Sequence, residues 1–376
     1  MRQFSYVLSL TLAALSFISC AGSPQNAASP SNPLLYVVSG GSVTPYSVDP
    51  VSLAATALQP AATLVSTAFR QFDPSPNDHF VYGIWSDAQN IQHLSAFQTD
   101  PAGVPQLPAI QELNANSLSQ FNMHPSRGFA YMLQVTTVPG GYEASIRLFT
   151  VSSKNGRLKE SPYVQGRYGP APYWPAFLYG FSVNGSKLYD MSNVATGTVY
   201  RERSINLTTG ALGPDTTLLS MTGESPVAIG KVIVAQYQSD VAPSQNYLDV
   251  FSNIANPTRP TIRCTAAMLR TCSTATYVQL DRSSNFLFLT DPTTQSIHVA
   301  SIDLKSGRIL ATGSTLPMTS QTPGLAFSRD GNILYALAKD ELVHFYHFDQ
   351  SSGSLTEGGT PLSIPPGAGI SPAQYR

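Results

Sequence analysis

One pattern recurs seven times along this chain: a turn, a strand centred on an aromatic or apolar residue, a second strand, and a turn closed by glycine. The strand centres are Tyr36, Tyr82, Tyr131, Tyr189, Val234, Phe288 and Tyr335, about 45–58 residues apart. Short strands repeating at about this period mark stacked four-stranded units, each too small to bury its own apolar faces. The reading is all-β, a seven-bladed β-propeller of four-stranded blades. Runs rich in Val, Ile, Phe, Tyr and Thr between turn residues read as strands, and no stretch of comparable length carries a helical period.

The last repeat shows the unit most fully. Gly324 to Ser328 reads as an inner strand, Arg329-Asp330-Gly331-Asn332 as a tight hairpin and Ile333 to Leu337 as the next strand. Leu342 to Phe348 is a third strand, and Asp349 to Gly353 turns the chain into a fourth. The first hairpin recurs at Asn184-Gly185 and at Arg282 to Asn285, and the second turn at Asn155-Gly156, Thr209-Gly210 and Ser306-Gly307. Positive φ at these glycines suits tight turns. The fifth repeat is weakest, with Ile254-Ala255-Asn256-Pro257 in place of the glycine turn. The first repeat starts at Leu34 to Val38, which matches a second strand. Its inner strand is expected from the C-terminal segment Gly367–Arg376, closing the ring and covering an open edge.

Three parts are expected: 1–20, a lipoprotein-type signal peptide; 21–33, a disordered tether; and 34–376, the propeller. Val7 to Ile18 is apolar but short for a membrane span. The sequence Ser16-Phe17-Ile18-Ser19-Cys20 resembles a lipobox, with Phe17 where Leu is usual. That resemblance implies lipidation at Cys20 and an exported, lipid-anchored protein of the outer membrane or cell surface. Ordinary secretion with cleavage near Ala21-Gly22 is the alternative. The uncharged stretch from Ala21 to Pro33 suits an extended tether.

Composition restricts the partners. Charged residues make up 11% of the chain and the formal net charge is −1, against about 25% charged in typical domains. No basic stripe is present, so nucleic acid is not an expected partner. Cys264 and Cys272 remain once Cys20 is set aside, and an exported protein is expected to join them as a disulfide. No metal and no cofactor are expected. His344 and His347 fall on opposite faces of one predicted strand, both read as strand-surface residues. Arg201-Glu202-Arg203 reads as a solvated face. Asn184 and Asn206 match glycosylation acceptors but read as turn residues.

A ligand is expected on the face built by loops between second and third strands and by loops entering the inner strands, read here as long and irregular. Trp85, Tyr142, Glu143, Tyr237, Asp240 and Asp291 fall in the first set of loops. Tyr173, Trp174, Arg259, Arg263 and Arg270 fall in the second. Arg70 lies on a predicted inner strand, Ala68 to Phe72, where a charge lines the channel or finds a buried partner. Aromatic residues with Arg and carboxylates suit a small polar or acidic molecule, or a protein partner.

The run from Phe327 to Tyr335, followed by Phe348 to Leu355, resembles the repeats of the lactonase-like propellers, a family that includes 6-phosphogluconolactonases. The resemblance spans about residues 34–376. It implies a seven-bladed ring and raises lactone hydrolysis as an activity. Catalytic members carry a His shortly before the Pro of an inner hairpin. Here Ser119 and Gln120 stand at that place, Met132-Leu133-Gln134 replaces the family's acidic segment, and His124 abuts Pro125. No catalytic residue carries over. The expected function is a monomeric, membrane-anchored, extracytoplasmic propeller that binds a small polar ligand or protein partner. The alternative is a lactonase-like hydrolase acting on an extracytoplasmic lactone. An acid with two Arg at the channel mouth would favour the enzyme.

Overall fold

The computed structural model describes residues 32–372 apart from 77–78, 115–117, 172–175, 183, 195–196, 222–223, 230–232, 239–245, 252–276, 282, 304–308, 321–323 and 329. The expected signal peptide, residues 21–31 of the expected tether, the lipidation site at Cys20 and the disulfide of Cys264 with Cys272 lie outside the described residues.

The described strands form seven antiparallel sheets, each fed by one sequence repeat. Sheet 1 contains β1 (Leu34–Ser39), β2 (Ser42–Val48), β3 (Ala55–Ala57) and β4 (Ala62–Thr63). Sheet 2 runs outward from β5 (Phe69–Pro74) through β6 (Phe80–Ser86) and β7 (Gln92–Gln98) to β8 (Gln111–Asn114). Sheet 3 follows with β9 (Leu118–Met123), β10 (Phe129–Val138), β11 (Gly141–Val151) and β12 (Leu158–Ala171). Sheet 4 has β13 (Ala176–Phe181), β14 (Lys187–Val194), β15 (Gly197–Ile205) and β16 (Leu212–Met221). Sheet 5 has β17 (Glu224–Ile229), β18 (Ile233–Gln238) and β19 (Asn246–Phe251). Sheet 6 has β20 (Tyr277–Leu280), β21 (Phe286–Asp291), β22 (Ser296–Ile302) and β23 (Ile309–Pro317). Sheet 7 has β24 (Gly324–Phe327), β25 (Ile333–Leu337), β26 (Leu342–Phe348) and β27 (Leu355–Ser363). The last strand, β28 (Gly369–Pro372), returns to sheet 1 and pairs antiparallel with β1, Leu35 opposite Pro372 and Val38 opposite Gly369.

The fold is an all-β propeller of four-stranded blades. Six sheets have four strands or more, and sheet 5 has three among the described residues. Against the sequence expectation of seven four-stranded blades, the complete blades among the described residues number six. The difference falls in sheet 5, the fifth repeat, where residues 252–276 lie outside those described. Inner strands touch in sequence, β28 beside β5, then β9, β13, β17, β20 and β24, with β24 again beside β28.

Apolar residues on facing blades make the core. Phe80, Tyr82 and Ile84 of sheet 2 pack with Phe121, Met132 and Phe149 of sheet 3. Phe286 and Phe288 of sheet 6 pack with Phe327, Leu334 and Phe348 of sheet 7. Three of the second-strand centres are also polar links. The Tyr36 hydroxyl donates to the Gly103 carbonyl at 2.7 Å, Tyr82 to Gly156 at 2.9 Å and Tyr131 to Gly210 at 2.7 Å. Each bond runs from one blade to the outer turn of the next. Gly156 and Gly210 have φ of 66° and 75°. A Cβ at Gly156 would come within 2.3 Å of Phe80, and one at Gly210 within 2.8 Å of Phe129. The turn therefore needs glycine for both conformation and space.

Candidate functional site

The inner strands set what can face the channel, and three of their polar side chains join neighbouring blades. Gln71 bonds both the N–H and the carbonyl of Phe121 on β9. Gln120 accepts from the Leu178 N–H on β13 at 2.6 Å, and Ser371 donates to the Phe72 carbonyl at 2.6 Å. These bonds satisfy backbone groups at the inner edge, where no further strand supplies partners.

Arg70 differs. Phe69 pairs with Trp85 and Gln71 with Ile84, so Arg70 is the extra residue of a β-bulge on β5. A bulge leaves one residue out of the ladder and re-aims its side chain. Arg70 is exposed and forms no ion pair among the described residues. The next inner strand, β9, skips Ser119 at the equivalent height, between partners Leu133 and Gln134. Arg70 is thus an exposed cation on the inner strand of sheet 2.

The other predicted site residues are placed differently from one another. Trp85, Tyr142, Glu143, Tyr237 and Asp291 belong to β6, β11, β18 and β21 rather than to loops. The strands run further than their sequence suggested, and the β1–β2 and β10–β11 connections are two-residue turns rather than long loops. Trp85 is buried in the core between sheets 1 and 2, and its indole N–H donates to Ser95 Oγ at 2.9 Å. Asp291 is buried, and its carboxylate accepts from the Thr293 N–H at 2.8 Å. Tyr142 is half-buried and Glu143 exposed, side by side at the start of β11. Tyr173, Trp174, Asp240, Arg259, Arg263 and Arg270 lie outside the described residues.

An acid with two Arg does occur, away from the channel. Arg203 Nε lies 2.8 Å from Asp190 Oδ2, and Arg201 Nε lies 3.0 Å from Asp215 Oδ2. Both guanidinium groups lie over the Tyr168 ring of the preceding blade, 5.6 and 5.8 Å from its centroid. Asp190 is fully buried and Arg203 is 5% exposed. The solvated reading of Arg201-Glu202-Arg203 is corrected for Arg203: strand alternation turns Glu202 the other way, to Lys187, while Arg203 meets sheet 3. Burial raises the Asp190 carboxyl above its ordinary range, opposed by Arg203.

His124 is also structural. At the inner hairpin corner, Ser75, Ser182, Asp281 and Ser328 each accept the N–H five residues on. His124 occupies that corner in sheet 3. Its Nε2 donates to the Gly185 carbonyl at 2.8 Å, while Nδ1 accepts from the Ser126 N–H at 3.2 Å. Its buried ring is held as the neutral tautomer, and burial lowers its pKa.

The residues missed from sequence form a repeat of their own. Third strands β7, β22 and β26 carry His93, His298 and His344 near the loop-bearing face. His93 lies between Asp87 Oδ2 at 3.1 Å and Glu112 Oε1 at 2.9 Å, stacked on Trp85 at 4.4 Å. His298 contacts Ser296 Oγ at 2.8 Å and Thr315 Oγ1 at 3.1 Å. His344 contacts Glu357 Oε1 at 3.1 Å and Thr319 Oγ1 at 3.3 Å. His344 is buried, a correction to its surface reading, whereas His347 points the other way and donates to the Val51 carbonyl at 3.0 Å. No group of three or more metal-ligating side chains occurs among the described residues.

No family model and no curated protein matches the sequence. Solved structures do match in fold. A candidate 6-phosphogluconolactonase from Bacteroides fragilis is 13% identical, with 92% of this chain and 98% of that chain covered at a TM-score of 0.54. A candidate 6-phosphogluconolactonase from Bacteroides uniformis is 11% identical, with coverage of 91% and 99% and a TM-score of 0.59. The periplasmic gluconolactonase of Pseudomonas aeruginosa is 13% identical, with coverage of 90% and 99% and a TM-score of 0.54. At these identities the likeness is one of fold alone, a β-propeller.

Proposed function

We propose that the chain is an exported, lipid-anchored, monomeric propeller that binds a small anionic ligand at its channel mouth. The observation that carries this reading is Arg70, an exposed cation at a bulge on the inner strand. The polar neighbours Gln71, Gln120 and Ser371 are committed to inter-blade bonds. A guanidinium suits planar bidentate recognition of a carboxylate or phosphate. In this reading the ring has seven blades and sheet 5 is the fifth, supported by the inner strands touching in a closed cycle. Fold likeness is a weak warrant for activity on its own. Titration calorimetry with sugar acids such as gluconate tests the reading. Saturable binding that weakens at least about tenfold in Arg70→Ala supports it. Binding unaffected by that change, or none across the sugar acids, would sink it.

A second reading, hydrolysis of an extracytoplasmic lactone, is favoured by the fold shared with a periplasmic gluconolactonase. Opening of gluconolactone well above the spontaneous rate, lost in Arg70→Ala, would favour hydrolysis over binding alone.

A further inference from the structure

We propose that Thr319, His344 and Glu357 form an acyl-transfer site on the loop-bearing face of sheets 6 and 7. Thr319 lies in the connection from β23 to β24, His344 on β26 and Glu357 on β27. Thr319 Oγ1 is 3.3 Å from His344 Nε2, and His344 Nδ1 is 3.1 Å from Glu357 Oε1. A hydroxyl, an imidazole and a carboxylate in line are recognised by their geometry and roles rather than by fold. The carboxylate accepts the Nδ1 proton and leaves Nε2 as the base beside the hydroxyl. Thr319 is exposed, so an acyl group can reach it, while the imidazole behind it is 4% exposed.

The three repeated histidines differ in this respect. His93 has carboxylates at both nitrogens and no hydroxyl. His298 has hydroxyls at both nitrogens, with Asp291 acting on it through space. His344 alone of the three joins a hydroxyl to a carboxylate. Its hydroxyl has a competing acceptor, because Thr319 Oγ1 also donates to Asp340 Oδ2 at 2.5 Å. One proton is shared between two acceptors, so Asp340 restrains the nucleophile.

The substrate class is a small acyl ester. Thr319 Oγ1 bonds to the carbonyl carbon as its proton passes to His344 Nε2. The tetrahedral adduct collapses, the ester C–O bond breaks, and the alcohol leaves with the Nε2 proton. Water then attacks the acyl-threonine by the same route, releasing the carboxylic acid and restoring the hydroxyl.

Full-length protein with p-nitrophenyl acetate tests this. The expected results are an acetyl group mapped to the Thr319 peptide and release of p-nitrophenolate. Thr319→Ala and Glu357→Gln should each lower acylation, Thr319→Ala by about a hundredfold. Thr319→Ser should retain acylation, and Asp340→Ala should speed it. Thr319 is exposed, so its variants keep the native circular dichroism spectrum. No acetyl-Thr319 in the wild type, or release unchanged in Thr319→Ala, would overturn the proposal. A slower Asp340→Ala variant would overturn the shared-proton arrangement.

Discussion

The Tyr82 hydroxyl donates to the Gly156 carbonyl at 2.9 Å, 74 residues along the chain and one blade further round the ring. Tyr36 with Gly103 and Tyr131 with Gly210 make the same bond. The residue two before each tyrosine, Leu34, Phe80 or Phe129, packs on the same glycine. The sequence repeat is thus also an inter-blade repeat. Tyr82→Phe leaves a buried carbonyl unsatisfied and should cost about 1–3 kcal/mol. Gly156→Ala should cost more, since the new methyl meets Phe80 in a left-handed turn. Urea denaturation of both variants checks the order, and equal or reversed losses would contradict it.

The contact between sheet 7 and sheet 1 departs from that rule in an instructive way. Leu53 occupies the glycine position: its N–H donates to the Asp49 carbonyl as Gly353 does to Asp349, with φ of 57°. The matching packing residue is Ile333, and Leu53, Ile333 and Tyr335 share one buried cluster. The Tyr335 hydroxyl has no hydrogen-bond partner among the described residues. A leucine side chain therefore fills the volume that phenylalanine fills at Phe80, Phe129 and Phe286. Leu53→Gly should relieve backbone strain yet leave a cavity, for a net loss of about 1–3 kcal/mol. Adding Ile333→Phe should recover most of it. A double variant no more stable than Leu53→Gly would refute this compensation.

Ring closure itself rests on β28 beside β1 and β5. Deleting Gly367–Arg376 exposes the β1 edge and should lower the melting temperature sharply. A truncated chain that melts with the full chain would show that the pairing adds nothing.

The Asp190–Arg203 pair gives a charge-specific test. Arg203→Met leaves a buried carboxylate without its main partner and should cost about 3–5 kcal/mol at neutral pH. The loss should shrink on acidification, because protonated Asp190 carries no charge to bury. Chemical denaturation of wild type and variant across pH measures this, and a pH-independent loss would count against it.

Buried tyrosines set an alkaline limit. Burial pushes Tyr189 up to about 12 and raises Tyr82, Tyr131 and Tyr335 as well. With folded values above the unfolded one of about 10, their contribution is fully present below about pH 10. It is lost as pH rises through the folded values. Tyrosinate absorbance from these residues should therefore appear together with loss of the β-sheet circular dichroism signal. Ionisation of all the tyrosines in a chain that stays folded would contradict the burial argument.

Local chemistry sufficed for the strand–turn repeat, the second-strand centres Tyr36, Tyr82 and Tyr131, and the C-terminal strand that completes sheet 1. Turn glycines and alternating apolar residues act within a few positions of one another, so their pattern is written in the chain. Arg203 and His344 read as surface residues in the sequence because strand alternation gives two faces without saying which meets a neighbouring blade. Arg70 at its bulge and the Thr319–His344–Glu357 line depended on register between strands. Residues 13 and 25 positions apart from His344 become its neighbours only when β26 pairs with β27 and the blades pack. Which polar side chains are buried, and which meet, was decided by the tertiary structure.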